Sequence, residues 1–143
     1  MKKNILIIFL SFNSILFAQT TNKKEDIQKL LTVLRIKNTM QSMVSQGIEL
    51  YKKQKPAVSG HIWEEIKNSV DYNPYMTKVS AIFDINYSQA EIKHLIVLAA
   101  KAKQGKQPKF TSAVKEQLYN AGNEFGKNFA NKVNQQLKLK GYY

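Results

Sequence analysis

The chain has 143 residues, with 22 Lys and Arg against 10 Asp and Glu and a formal net charge of +12. Its 43% hydrophobic and 10% aromatic content is enough for a core, and excludes wholesale disorder, collagen-like repeats and a polytopic membrane protein. The absence of Cys excludes a disulfide framework, Cys-ligated metal sites and a thiol nucleophile. The Lys excess predicts attraction to anionic partners and is silent about fold.

Met1-Lys2-Lys3 is a short positive segment, and an apolar run from Ile5 to Phe17 follows it. A spanning helix needs about 20 apolar residues, whereas a secretory signal core needs about 7–15 and a small residue at its end. Ala18 supplies that residue. Residues 1–18 are therefore expected to be a signal peptide, 19–24 a short polar lead and 25–140 one helical domain. No Cys follows the apolar run, so the expected location is the periplasm without a lipid anchor.

The mature segment carries helical periods and no strand-length alternation. Ile27, Leu30, Leu31 and Leu34 form the first apolar face. Asn38 is placed to cap a second helix, with Gln41 at the return position of a capping box. Met40, Met43, Val44, Gly47, Ile48 and Tyr51 mark its buried side, and Pro56 its stop. Ile62, Trp63, Ile66 and Val70 indicate a short third helix. Asn73-Pro74 reads as the N-cap and first residue of a fourth helix, because proline's missing N–H costs nothing there. Ser88-Gln89-Ala90-Glu91 is a capping box, and Tyr87 and Ile92 stand at the spacing of a hydrophobic staple. After the loop from Lys103 to Pro108, a long last helix carries Phe110, Val114, Leu118, Ala121, Phe125, Phe129, Val133 and Leu137, with Gly141 at its expected end. Gly141-Tyr142-Tyr143 reads as a frayed tail. The expected fold is all-α, a single-domain antiparallel helical bundle or array of five to six helices after the signal peptide.

The run from Phe83 to Ile96, with Tyr87-Ser88 and Glu91-Ile92 at its turn, resembles the central motif of domain-of-unknown-function family 2059, which comprises exported bacterial helical proteins. Pro56 and Trp63 are similar to landmarks of that family, so the resemblance covers nearly the whole mature chain. It implies a shared helical fold more than an activity, since its residues are mostly caps and core and the family has no established biochemical function. The chain departs from the family pattern from Leu98 to Gly105, where Phe-Tyr and Ser-Pro are missing.

No catalytic, cofactor or metal site is expected. His61 and His94 stand in no metal-binding spacing, Glu64 and Glu65 point about 100° apart on a helix, and no nucleophile-elbow, phosphate-loop or dinucleotide motif occurs. An envelope hydrolase is the alternative. It requires Glu64, Asp71, Asp84 and the two histidines to converge in one pocket.

Two features suggest binding. Lys101, Lys103, Lys106 and Lys109 lead into a helix start at Thr111 and Ser112, where free N–H groups and the helix dipole favour an anion. Gly122, Gly126 and Ala130 recur at i, i+4, i+8, a stripe suited to close helix packing or self-association. From residue 101 onward there are nine Lys against Glu116 and Glu124, so the charge collects in the last loop and helix. The expected function is a non-enzymatic periplasmic binding protein whose basic C-terminal face meets an anionic envelope component or an acidic protein. Peripheral membrane contact stays open. Nucleic acid is not expected, because the chain is exported and carries no reader motif.

Overall fold

A computed structural model of the chain describes residues 22–102 and 108–142. The expected signal peptide, Lys103, Gly105, Lys106 and Tyr143 lie outside the described residues. Among the described residues there are helices, turns and coil but no strand, and the fold is an all-α bundle. The helix over 22–33 is α1. It is followed by α2 (Ile36–Gln54), α3 (Gly60–Asn68), α4 (Asn73–Asn86), α5 (Gln89–Ala100) and α6 (Ser112–Leu139).

The junction of α1 and α2 does not form at Asn38. The chain turns at Leu34 and Arg35, and Arg35 adopts a left-handed φ of 54° with no side-chain cap bond, a conformation costing a non-glycine residue roughly 1–2 kcal/mol. Its carbonyl accepts the Thr39 N–H at 3.0 Å, so Asn38 lies inside α2. The break falls between the buried residues Ile27, Leu30 and Leu31 of α1 and Met40, Val44 and Ile48 of α2. The burial of two separate apolar faces, rather than cap chemistry, fixes the boundary. Met43, expected on the buried side, is 55% exposed.

The later boundaries follow local chemistry more closely. Val70 lies beyond the end of α3, where Ser69 closes the helix by donating from Oγ to the Ile66 carbonyl at 2.8 Å. The start of α4 sits one residue earlier than expected, because the Asp71 carboxylate accepts the Asn73 N–H at 2.9 Å. The Ser88 capping box is present: Glu91 N–H donates to Ser88 Oγ at 3.3 Å, and Ser88 N–H donates to Glu91 Oε2 at 2.7 Å. Ile92 is fully buried. The Tyr87 ring stacks on Phe83, one turn back in α4, with centroids 5.9 Å apart. Thr111 caps α6, its Oγ1 accepting the Val114 N–H at 3.3 Å.

The end of α6 corrects the expectation of a frayed tail. Gly141 takes a positive φ of 78°. Its N–H donates to the Lys138 carbonyl at 3.1 Å, while that of Tyr142 reaches the Leu137 carbonyl at 2.9 Å. This is the paired-bond helix stop that glycine permits, and Tyr142 then packs against the core cluster that contains Leu137.

Contacts divide the chain into two units, with the division inside α4 after Ile82. In the first unit (described residues 22–34, 83–102, 108 and 109) the buried residues are Ile27, Leu30 and Leu31 of α1, Phe83, and Ile92, Leu95 and Ala99 of α5. Gln89 of α5 donates to Asp26 of α1 at 3.0 Å, and the Lys23 ammonium lies 2.9 Å from the Asp84 carboxylate. In the second unit (35–82 and 110–142) a cluster of Ile48, Val58, Ile62, Trp63, Ile66, Val133 and Leu137 joins α2, α3 and α6. Tyr51 stacks on Trp63 at 6.2 Å and meets the edge of Phe129 at 6.4 Å.

The α5 capping box gives the first test. Ser88→Ala is expected to cost about 0.5–2 kcal/mol in urea unfolding. Glu91 is held below the ordinary value of 4.5 by the Ser88 backbone N–H and then its hydroxyl; Lys140 does the same for Glu65, and Lys67 for Glu64. Groups lowered in the folded state contribute stability that is present above 4.5 and lost as pH falls through the folded values. The protein should therefore lose stability on acidification below about pH 4.5. Glu65→Gln should flatten that loss, and an unchanged acid limb in this variant would remove the assignment.

Candidate binding surfaces

The expected anion site is distributed as follows. Lys101 is an exposed C-cap of α5, and Lys109 is exposed; both belong to the first unit. Thr111 and Ser112 are exposed at the start of α6, in the second unit. The Thr111 hydroxyl oxygen is already used to cap its own helix.

A Cβ built on Gly122 or Gly126 would meet nothing within 4 Å, so neither glycine of the stripe has a close neighbour among the described residues. Gly126 is exposed, and Gly122 and Ala130 are half-buried. The buried side of α6 is set by Val114, Ala121, Val133 and Leu137, because large apolar groups gain more from burial than a glycine face does. The close approach occurs elsewhere: a Cβ on Gly47 of α2 would sit 2.9 Å from Phe129 Cε1.

Eight of the ten carboxylates have a structural partner. Besides Asp26, Asp84, Asp71 and Glu91, these are Glu49 with Lys52 (2.7 Å), Glu64 with Lys67 (2.5 Å), Glu65 with Lys140 (2.5 Å), and Glu124 with Lys78. Of the groups the hydrolase reading needs, Glu64 and Asp71 serve separate contacts in the second unit, and Asp84 belongs to the first. His61 Nδ1 lies 2.9 Å from Ser59 Oγ, and His94 is exposed on α5. No group of three or more His, Asp or Glu side chains gathers at metal-binding range among the described residues.

The lysines of α6 and its C-cap residue Lys140 split into two sets. Lys132 donates to the Ser69 carbonyl at the end of α3, and Lys140 pairs with Glu65 of the same helix. A cation is favoured at a helix C-terminus, so these two serve α3. Lys115, Lys127 and Lys138 are exposed and have no carboxylate within ion-pair range among the described residues.

Sequence reasoning missed a set of clefts around the connection between α3 and α4. One, of about 240 Å³, is lined by Gln41, Ser45, Lys67, Asn68, Val70 and Tyr72. A second, of about 160 Å³, lies between Val70, Asp71 and Pro74 on one side and Phe125, Asn128, Phe129 and Lys132 on the other. A third, of about 50 Å³, continues along α4 and α6 past Tyr75, Lys78 and Glu124. Phe125 organises this region: Tyr72 stacks on it at 5.9 Å and Tyr75 leans on it at 5.5 Å. Burial pushes both phenols above their ordinary value of 10.0. Tyr72 and Phe125 are far apart in sequence, so no local spacing signals their meeting.

Among the described residues no helix is long and apolar enough to cross a membrane. Comparison with family models, with curated proteins and with solved structures gives no match to this chain.

Proposed function

We propose that this chain is an exported, non-enzymatic helical binding protein whose basic C-terminal segment receives an anionic envelope component or an acidic protein. One observation carries the reading: eight of the ten carboxylates are held by caps and ion pairs, while Lys115, Lys127 and Lys138 stand exposed on α6 without a carboxylate partner among the described residues. On α6, lysine charge in excess of the acidic groups is thereby presented outward instead of being balanced across the surface. Export rests on the pattern from Met1 to Ala18. The likeness of Phe83 to Ile96 to domain-of-unknown-function family 2059 supports an exported helical role.

Exposed charges act over a Debye length of about 10 Å at 0.1 M salt and about 3 Å at 1 M. Binding to polyglutamate, or to vesicles containing phosphatidylglycerol, should therefore weaken about tenfold or more between low and high salt. Replacing Lys115, Lys127 and Lys138 by Gln should weaken it similarly at low salt while leaving the thermal melt in place. Salt-independent binding, or undiminished binding by the triple variant, would refute the proposal.

A further inference from the structure

We infer that the cleft between α4 and α6 binds a neutral sugar ring. Its two parts share Pro74, Phe125 and Asn128 and have volumes of about 160 and 50 Å³. Sites for drug-sized ligands run to about 300–1,000 Å³, so this cleft accommodates a single ring. The apolar surface comes from Pro74, Tyr75 and Phe125, with the two aromatic centroids 5.5 Å apart.

The polar rim selects among ring-shaped ligands. In a chain of net charge +12, this lining is balanced: it holds two lysines, Lys78 and Lys132, and two carboxylates, Asp71 and Glu124. A charged occupant gains nothing from the sum. Each rim group also keeps unused bonding capacity. Lys132 spends one of its three N–H donors on the Ser69 carbonyl. Asp71 accepts Asn73 through Oδ1, and Glu124 accepts Lys78 through Oε2, leaving one oxygen on each carboxylate. Exposed Asn128 adds an amide donor and acceptor where the two parts of the cleft meet.

Donors and acceptors thus both line the cleft beside its apolar residues. Hydroxyl groups, each able to donate one bond and accept two, match such a rim. The C–H groups of a saturated ring can pack against the apolar surface of Pro74, Tyr75 and Phe125. An alkyl chain would cover the rim groups without bonding them, at a desolvation cost. An unsubstituted aromatic ligand would do the same.

The test is an NMR titration of the purified protein with glucose, N-acetylglucosamine and their β-1,4-linked disaccharides, with benzamide and benzoate as controls. Amide shifts are expected within residues 70–78 and 121–132. Affinity should change less than about twofold across the salt range that weakens binding at exposed lysines. Asn128→Ala should weaken sugar binding about fivefold, the loss of about one hydrogen bond, without changing the circular dichroism melt. The inference is overturned by absence of shifts with every sugar, by equal or tighter binding of benzamide or benzoate, or by full retention of affinity in both Asn128→Ala and Glu124→Gln. The salt response separates the two readings: polyglutamate binding that survives loss of the sugar shifts leaves the basic-surface proposal standing.

Discussion

Trp63→Ala is expected to cost about 3–5 kcal/mol, the range for removing a large aromatic from a packed core. Trp63 is 1% exposed and belongs to the cluster that joins α2, α3 and α6 through Ile48, Ile66, Val133 and Leu137. It also carries the stacked Tyr51, which in turn contacts Phe129. A domain of this kind has only about 5–15 kcal/mol of net stability, so this one truncation removes a large share of it. Urea unfolding followed by circular dichroism measures the loss directly, with Trp63→Phe as a milder reference that keeps an aromatic ring. A loss below about 1 kcal/mol, the typical effect of an arbitrary substitution, would mean that this cluster is not what holds the second unit together.

The glycines of α2 and α6 should respond in opposite directions. Gly47→Val is expected to destabilise by about 1–3 kcal/mol through overpacking, because the first added carbon already stands 2.9 Å from the Phe129 ring. That ring is held by its edge contact with Tyr51, and its displacement disturbs the Trp63 cluster. Gly126→Ala meets nothing within 4 Å and replaces a costly helix residue, so it should stabilise by about 0.5–1 kcal/mol. Thermal melts of the two variants on opposite sides of the parent protein are the predicted result. A destabilised Gly126→Ala would indicate that the small-residue stripe is packed in solution after all, and analytical ultracentrifugation would then show whether a second copy covers it.

Local chemistry was legible wherever the information lies within one turn of helix. Ser88 and Glu91 are three residues apart, and each side chain reaches the other's backbone, so the capping box followed from the sequence. The stop at Gly141 is of the same kind, since a left-handed residue after the last turn favours glycine. Asn38 shows the limit of this reasoning. Its side chain is a competent cap, yet the helix begins at Ile36 because the break is placed by the apolar faces on either side of Arg35. Asn73 was displaced by one position because Asp71, two residues earlier, captured its N–H.

The candidate sites divide along the same line. Composition established the sign and size of the charge, and position along the chain showed that it gathers after residue 100. It did not reveal that Lys132 reaches the end of α3 and Lys140 reaches Glu65, because that depends on which helix lies beside α6. The aromatic cleft was invisible for the same reason: Tyr72 lies in the connection before α4, Tyr75 and Phe125 are ordinary apolar positions in their own helices, and only packing makes them one surface.

By itself the sequence determined an all-α chain, the chemistry of its α5 start and α6 stop, and an excess of positive charge, because helical periodicity, capping and ionisation are properties of short segments. The tertiary structure alone decided which glycine is crowded, which lysines are left unpaired and where a cleft opens. Those outcomes depend on residues far apart in the chain, brought together by the burial of large apolar side chains, a driving force that is strong but non-directional and so fixes partners only through the shape of the packed whole.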